Sequence, residues 1–156
     1  MTALAPVKGA SIASMSQEDI DKVRRLEDHL REFDQVEIPV EHTLHAGMYA
    51  RTICIPAGVV ATGVLIKIAT VMIVSGDCTM FVGDDRLHLQ GYHVIPAGGG
   101  RKQACWAHTD TYVTMLFASD ASTVDSAECQ FTDETDCLQS RQLELIPGES
   151  PCPVLP

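Results

Sequence analysis

The run Gly58-Val-Val-Ala-Thr-Gly-Val-Leu-Ile-Lys-Ile-Ala-Thr-Val-Met-Ile-Val-Ser-Gly76 is almost wholly apolar and β-branched, with glycines as punctuation. Val, Ile and Thr are restricted at χ1 and suit a pleated surface, so the run predicts strands buried on at least one face. We expect two consecutive strands that meet near Lys67 to Ala69. The length could suit a membrane span, but Lys67 and the glycines argue against one.

Further short strands are predicted on both sides of this run, because apolar segments recur at close intervals with turn residues between them. The predicted strands are Val36 to Val40, Met48 to Ile55, Cys78 to Val82, Arg86 to Leu89, His93 to Ile95, Lys102 to Ala107 and Thr111 to Phe117. The predicted turns and links are His42 to Gly47, Ser75 to Asp77, Gly83 to Asp85, Pro96 to Gly100 and His108 to Asp110. This pattern is typical of an antiparallel sandwich or small barrel.

An amphipathic helix is predicted ahead of the strands. Ser16 is a suitable N-cap, and Glu18 and Asp19 follow in the first turn, where acidic groups complement the helix dipole. Apolar residues at spacings of three and four form one stripe, which consists of Ile20, Val23, Leu26, Leu30 and Phe33. The stripe either packs on the sheet of its own domain or associates with a copy of itself, and the sequence leaves both alternatives open.

The chain is predicted to form one domain with an appendage at each end. We assign residues 1–15 to a flexible arm and 16–34 to the amphipathic helix. Residues 36–131 form the β-barrel, which ends in a short helix starting at Ser122. Residues 132–156 form an extended, proline-rich tail.

Charge and cysteine usage restrict the possible partners. The formal net charge of −10 repels nucleic-acid backbones and anionic membranes, so neither is an expected partner. None of the six cysteines forms a C-x-x-C pair, which favours reduced, structural thiols. The first fifteen residues lack the apolar region of a signal peptide. We therefore expect an intracellular place of synthesis.

The glycine pattern of the central run resembles the first motif of the cupin family. That motif reads Gly, five residues, His-x-His, a few residues, Glu, six residues and Gly. Counted from Gly58, the histidine positions fall on Val64 and Ile66. Counted back from Gly76, the acidic position falls on Ala69.

The second cupin motif reads Gly, a few residues, Pro-x-Gly, two residues and His. Gly91, Pro96 and Gly98 match it with one residue fewer than usual before the proline, and the histidine position falls on Arg101. The resemblance covers roughly Tyr49 to Phe117 and implies an antiparallel jelly-roll barrel. The same block also resembles cupin-like proteins encoded by bacteriophages.

In catalytic cupins, as the resemblance implies, these four positions would hold a metal ion. Transition metals need lone pairs from N, O or S donors, which Val64, Ile66 and Ala69 do not offer. Arg101 is cationic and would repel the metal. We therefore expect no cofactor, and a barrel mouth packed and dry because aliphatic side chains fill it.

Three other groups of residues are candidates for a site. A relocated metal site would borrow His45, His93 and His108 from adjacent strands. An anion pocket would use Arg51, Lys67 and Arg101, although such residues more often pair with nearby carboxylates. Cys105 and His108 are three residues apart, so on a strand they would point to opposite faces and could not act as a nucleophile and its base.

These observations favour a non-catalytic structural or interaction protein that acts by homo-oligomerisation, as a dimer or a larger assembly. The phage resemblance implies a virion-associated subunit of the decoration, baseplate or fibre-attachment type, which is made in the bacterial cytoplasm. Its arm and tail would contact other structural proteins. The alternatives are a metal-dependent cupin enzyme, such as an isomerase or oxygenase with relocated ligands, and a module that binds a small anion or a sugar.

Overall fold

The computed structural model describes residues 10–138 of the chain. Its elements are α1 (Gln17–Leu30), β1 (Val40–His45), β2 (Met48–Ile55), β3 (Val60–Thr62), β4 (Thr70–Val82), β5 (Asp85–Ala97), β6 (Ala104–Ala107), β7 (Thr111–Ala118), α2 (Val124–Phe131) and a 3-10 turn (Thr135–Cys137). Within these residues, neither helix has the length and apolar character needed to span a membrane.

The seven strands form one curled antiparallel sheet in the order β1-β2-β7-β4-β6-β3, with β5 paired to β4. One edge of β4 pairs with β5 along its whole length. Its other edge pairs first with β7 and then with β6. The mainly β, antiparallel jelly-roll fold predicted from the sequence is therefore confirmed.

Side chains alternate between the two faces of the sheet, as the period of a strand requires. On β4, Met72, Val74, Cys78 and Met80 are buried on the inner face and belong to the main apolar core. Val71, the residue before Met72, is 39% exposed on the outer face. A second core cluster lies around three aromatic rings: Tyr49 and Phe131 are stacked, and Phe117 meets both of them edge to face.

The turn predicted at Ser75 to Asp77 is wrong, because β4 runs through it. Gly76 faces Gly91 of β5, and both have positive φ angles, of 146° and 85°. Glycine adopts such angles without a Cβ clash, so both strands bend here and continue. The bend lies where β4 leaves β7 and begins to pair with β6.

The boundaries of two other predicted strands are also wrong. The first strand is Val40–His45, which overlaps the predicted link, and Val36 to Pro39 lie outside any strand. The chain reverses between β1 and β2 at Ala46 and Gly47, whose φ angles are 52° and 70°. The first strand of the central run is only Val60–Thr62, and the residues from 63 to 69 form a single bridge, at Ile66.

Helix α1 begins where predicted, since Ser16 Oγ accepts a hydrogen bond from the Asp19 amide at 3.2 Å. It ends at Leu30, before the predicted residue 34. Ile20 and Val23 of the apolar stripe are 6% and 7% exposed, so this half is buried within the chain, whereas Phe33 is 60% exposed. The start of the stripe is therefore not free for a second copy.

An ion pair fastens α1 to the barrel. The ammonium group of Lys102, whose side chain is 2% exposed, lies 2.9 Å from a carboxylate oxygen of Glu27. The same Glu27 oxygen accepts a hydrogen bond from Thr62 at 3.0 Å.

Both predicted appendages contribute to the domain where the structure describes them. Ile12 is 2% exposed in the main core and forms a parallel bridge with Ala97, so residues 11–15 lie against the barrel and are not a free arm. After α2, the chain forms a 3-10 turn and buries Leu138 in the second cluster, where an extended tail was predicted. The rest of the arm and tail, residues 1–9 and 139–156, lies outside the described residues.

Gly76→Ala tests the bend in β4. A Cβ at Gly76 would lie 2.6 Å from Thr111 Oγ1, 2.9 Å from Thr111 Cα and 3.0 Å from the Asp110 carbonyl oxygen. We expect the free energy of unfolding, measured by urea denaturation, to fall by about 2–4 kcal/mol, from the clash and the unfavourable φ together.

Gly58→Ala is the matched control, since Gly58 has φ of +83° but no described atom lies within 4 Å of the place that a Cβ would occupy there. It should cost about 1 kcal/mol, the φ penalty alone. Equal costs for the two variants would contradict the close packing at Gly76.

Candidate binding cavity

A cavity of about 640 Å³ lies inside the barrel, on the inner face of the sheet. Most of its wall is apolar and comes from β2, β4 and β7; these residues are Ile53, Ile55, Met72, Met80, Val113 and Met115. Leu30, Phe33 and Val36, at the end of α1 and in the segment after it, line it as well. The expectation of a packed barrel mouth is therefore wrong.

Val64 and Ile66 do not fill this space, for a reason that the fold makes clear. Both line the cavity, but both also pack against the Tyr49 cluster. They lie in the segment between β3 and β4, so they cover one part of the barrel and leave the centre open. Ala69 is exposed and does not line the cavity.

The donors around the cavity do not fit a transition metal. Among the described residues that line it there is no histidine. The carboxylate of Glu27 is already paired with Lys102, and the guanidinium of Arg101 places a positive charge at the wall. A metal ion needs several convergent lone pairs and no neighbouring cation, so this wall does not provide a metal centre.

Arg101 is the main polar feature of the cavity wall. It is 1% exposed, and its side chain donates only to neutral oxygen atoms. Nη1 donates to the carbonyl oxygens of Ile68 at 3.2 Å and Gly98 at 2.6 Å, and Nη2 donates to Thr70 Oγ1 at 2.7 Å. Within residues 10–138, no carboxylate forms an ion pair with this guanidinium.

Burial lowers the pKa of Arg101 to about 10. The guanidinium therefore stays protonated at neutral pH. A buried cation that has only neutral partners carries a desolvation cost, and a counter-charge would reduce that cost.

Gln103 extends this polar site. Its Oε1 accepts a hydrogen bond from Arg101 Nε at 3.3 Å, and the residue lines the same cavity. Its Nε2 is buried without a hydrogen-bond partner in the described part of the chain. Buried donors are nearly always paired, so an unpaired one beside a cavity points to a missing acceptor.

The three cations of the predicted anion pocket do not come together. Arg51 lines the cavity, but its Nη1 lies 3.1 Å from Glu128 Oε2, so its charge is compensated. Lys67 does not line the cavity and pairs with Asp133 at 2.7 Å. Of these three, only Arg101 presents an uncompensated positive charge to the cavity.

The histidines of the predicted relocated metal site are also separated. His93 is buried on β5 and its Nε2 lies 2.8 Å from the carbonyl oxygen of Gln90. His45 is exposed at the end of β1, and His108 is exposed after β6.

Cys105 and His108 point to opposite faces, as predicted, because Cys105 is buried and His108 is exposed. A hydrogen bond with Cys78 and burial both raise the pKa of the Cys105 thiol. This thiol therefore stays protonated at neutral pH and is a poor nucleophile.

Gln103 is not among the site residues predicted from the sequence. Its position two residues after Arg101 would place both side chains on one face of an extended segment, and this was the available signal. That Gln103 Nε2 has no hydrogen-bond partner in the described part of the chain depends on tertiary packing, so the sequence could not show it.

No protein-family model and no curated protein matches the sequence. Similar solved structures include a cupin-2 domain containing protein from Shewanella frigidimarina, with 14% identity, a TM-score of 0.41 and coverage of 60% of this chain and 91% of that chain. KdgF from Halomonas sp. shows 18% identity, a TM-score of 0.45 and coverage of 58% and 92%.

Salicylate 1,2-dioxygenase from Pseudoaminobacter salicylatoxidans shows 15% identity and a TM-score of 0.45, with coverage of 85% of this chain and 41% of that chain. The mainly β jelly roll of the present chain is established by its own strand pairing.

Proposed function

We propose that the protein binds a small organic anion with an apolar body in the barrel cavity, without converting it. The observation that carries this proposal is the buried Arg101 guanidinium, which has no carboxylate partner among the described residues and lies beside the unpaired amide of Gln103.

The count of donors supports an anionic acceptor at this position. A guanidinium has five N–H groups, and the four hydrogen bonds of Arg101 leave one N–H available. The Gln103 amide adds two N–H groups, which a ligand reaches once this side chain turns toward the cavity, because Nε2 itself is buried. A carboxylate has two oxygens that accept such bonds, and bonds of this charge-assisted type are among the strongest in proteins.

The rest of the wall favours an apolar ligand body. Binding cavities for small molecules usually measure about 300–1,000 Å³ and are mostly apolar with a few convergent polar groups. The volume of about 640 Å³ and the aliphatic and methionine side chains fit that description. A sugar, which the sequence analysis allowed, would leave most of its hydroxyl groups without partners against this wall.

The residues that line the cavity favour binding of the ligand without a chemical reaction. General acid–base or nucleophilic catalysis needs a group with a suitable pKa beside the ligand. Histidine is lacking among the described lining residues, and the thiols of Cys105 and Cys137 have raised pKa values. Of the lining carboxylates, Glu27 is paired with Lys102 and Asp34 is exposed. We therefore propose a binding protein and not an enzyme.

Gln103→Glu tests the proposed site, because it places a carboxylate beside Arg101 with almost no change in shape. In isothermal titration calorimetry, octanoate should bind the wild-type protein, whereas 1-octanol should bind at least tenfold more weakly. The variant should lose about 1.5–3 kcal/mol of octanoate affinity, the value of a hydrogen bond to a charged group. The unliganded variant should melt about 3 °C higher if the internal pair contributes about 1 kcal/mol.

Thr43→Glu is the matched control, because it adds the same charge at an exposed position of β1. It should leave octanoate affinity unchanged. Equal affinity of Gln103→Glu and wild type for octanoate, or equal binding of octanoate and octanol, would contradict the anion site.

A second candidate function, homo-oligomerisation, rests on a different observation. The outer face of the sheet carries an apolar patch formed by Val71, Ile73, Ser75, Tyr92, Val94 and Tyr112, which we term the outer patch. Tyr92 and Tyr112 lie on either side of Ser75, and Val94 lies beside Ile73. Tyr92, Val94 and Tyr112 are each more than half exposed, at 54%, 56% and 53%.

We propose a second copy of the chain as the occupant of the outer patch. The chain carries a formal net charge of −10, so two copies repel each other through most of their surfaces. The outer patch contains no Asp, Glu, Lys or Arg and avoids this repulsion. A structural subunit of the phage virion type, as expected from the resemblance, would use such a contact to assemble.

Val94→Lys tests the outer patch. Light scattering coupled to size-exclusion chromatography should give at least twice the chain mass of 16.9 kDa for the wild type, and the single-chain mass for the variant. Thr43→Lys, at an exposed site outside the patch, should leave the mass of the assembly unchanged. A wild-type protein that is monomeric at high concentration would contradict this proposal.

A further inference from the structure

We infer that Asp77, His88 and His108 form a binding site for a divalent transition-metal cation on the outer face of the sheet. The site lies outside the barrel cavity and uses none of the positions that the cupin motifs or the relocated-histidine hypothesis place together, apart from His108.

Strand register brings the three residues together. Asp77 lies on β4 and His88 on β5, where Asp77 faces Gln90 and Thr79 faces His88. His108 follows β6, and its backbone amide donates to the Asp77 carbonyl oxygen at 2.8 Å. One donor atom from each of the three side chains lies within 4.8 Å of the other two.

Two of the ligands are already held in a suitable arrangement. His88 Nε2 lies 2.7 Å from Asp77 Oδ1, and Gln90 Nε2 donates to Asp77 Oδ2 at 3.2 Å. Gln90 fixes the orientation of the carboxylate, which is the usual role of a group that hydrogen-bonds a metal ligand.

His108, the third ligand, needs only a small side-chain movement to reach the same cation as Asp77 and His88. His108 is exposed, and its Nε2 lies 2.8 Å from Thr79 Oγ1. With bonds of about 2.0–2.1 Å to nitrogen, ligands around one cation lie about 3 Å apart, so His108 moves by less than about 2 Å. Exposed side chains make such rotations readily.

The donor set indicates the class of cation. Two imidazoles and one carboxylate suit Zn²⁺, Ni²⁺ or Cu²⁺, whereas Mg²⁺ and Ca²⁺ prefer oxygen ligands alone. The formal net charge of −10 further favours a cation at the surface. Three protein ligands leave the remaining coordination positions to solvent.

The site contains its own reporter. Trp106 is the single tryptophan of the chain, and its ring centroid lies 4.5 Å from that of His108. A paramagnetic ion bound by His108 would therefore quench the whole tryptophan emission. Cys105 is next to Trp106 on β6 but is buried, so the His88→Ala variant, which leaves Cys105 in place, distinguishes the two sites.

The experiment is a titration of the full-length, tag-free protein with Ni²⁺ while Trp106 emission is recorded. We expect saturable quenching with one equivalent of Ni²⁺, reversed by competing Zn²⁺. His88→Ala should weaken Ni²⁺ binding at least tenfold. Gln90→Leu, which keeps all three ligands, should weaken it about tenfold because the carboxylate loses its orienting bond.

His45→Ala is the matched control, since His45 is exposed on β1 away from this cluster, and it should bind Ni²⁺ as the wild type does. Circular dichroism of each variant establishes that the fold is kept. Quenching that does not saturate, or that is the same in His88→Ala and wild type, would overturn the inference.

Discussion

The buried guanidinium of Arg101 is the group on which this end of the barrel depends. It donates to Ile68 and Thr70, which lie together around the start of β4, and to Gly98, which follows β5, so it joins two segments of the chain. Ile68 lies in the irregular segment before β4, and Gly98 follows β5, so neither carbonyl is paired within a strand. One side chain therefore satisfies backbone groups that regular strands leave open, and it places a positive charge at the wall of the cavity.

The two faces of β4 serve different purposes because side chains alternate along a strand. Inner residues such as Met72 and Met80 line the cavity, whereas Asp77 lies on the outer face with the histidine cluster. The bend at Gly76 lets one strand pair with β7 and then with β6, which closes the sheet. The cavity and the outer face thus depend on the same strand, and their side chains point to opposite sides of it.

The spacing of the apolar segments and the turn residues between them were enough to predict the jelly roll. Ser16 was enough to predict where α1 begins. The turn predicted at Gly76 was wrong, because sequence alone does not distinguish a glycine that ends a strand from one that bends it. Motif spacing identified Arg101 as a site position. It could not show that Arg101 lacks a carboxylate partner among the described residues, because that depends on tertiary packing. Asp77 and His88 were missed because their proximity to His108 follows from the register of three strands.

The central claim is that Arg101 and Gln103 receive the anionic group of a ligand whose body occupies the barrel. A crystal structure of the protein with 4-bromobenzoate tests it most directly, since anomalous scattering locates the bromine. The account predicts carboxylate oxygens about 3 Å from Arg101 Nη2 and Gln103 Nε2, with the bromine among the aliphatic side chains of the cavity. Bromine found only outside the barrel, or a carboxylate turned away from Arg101, would contradict the account.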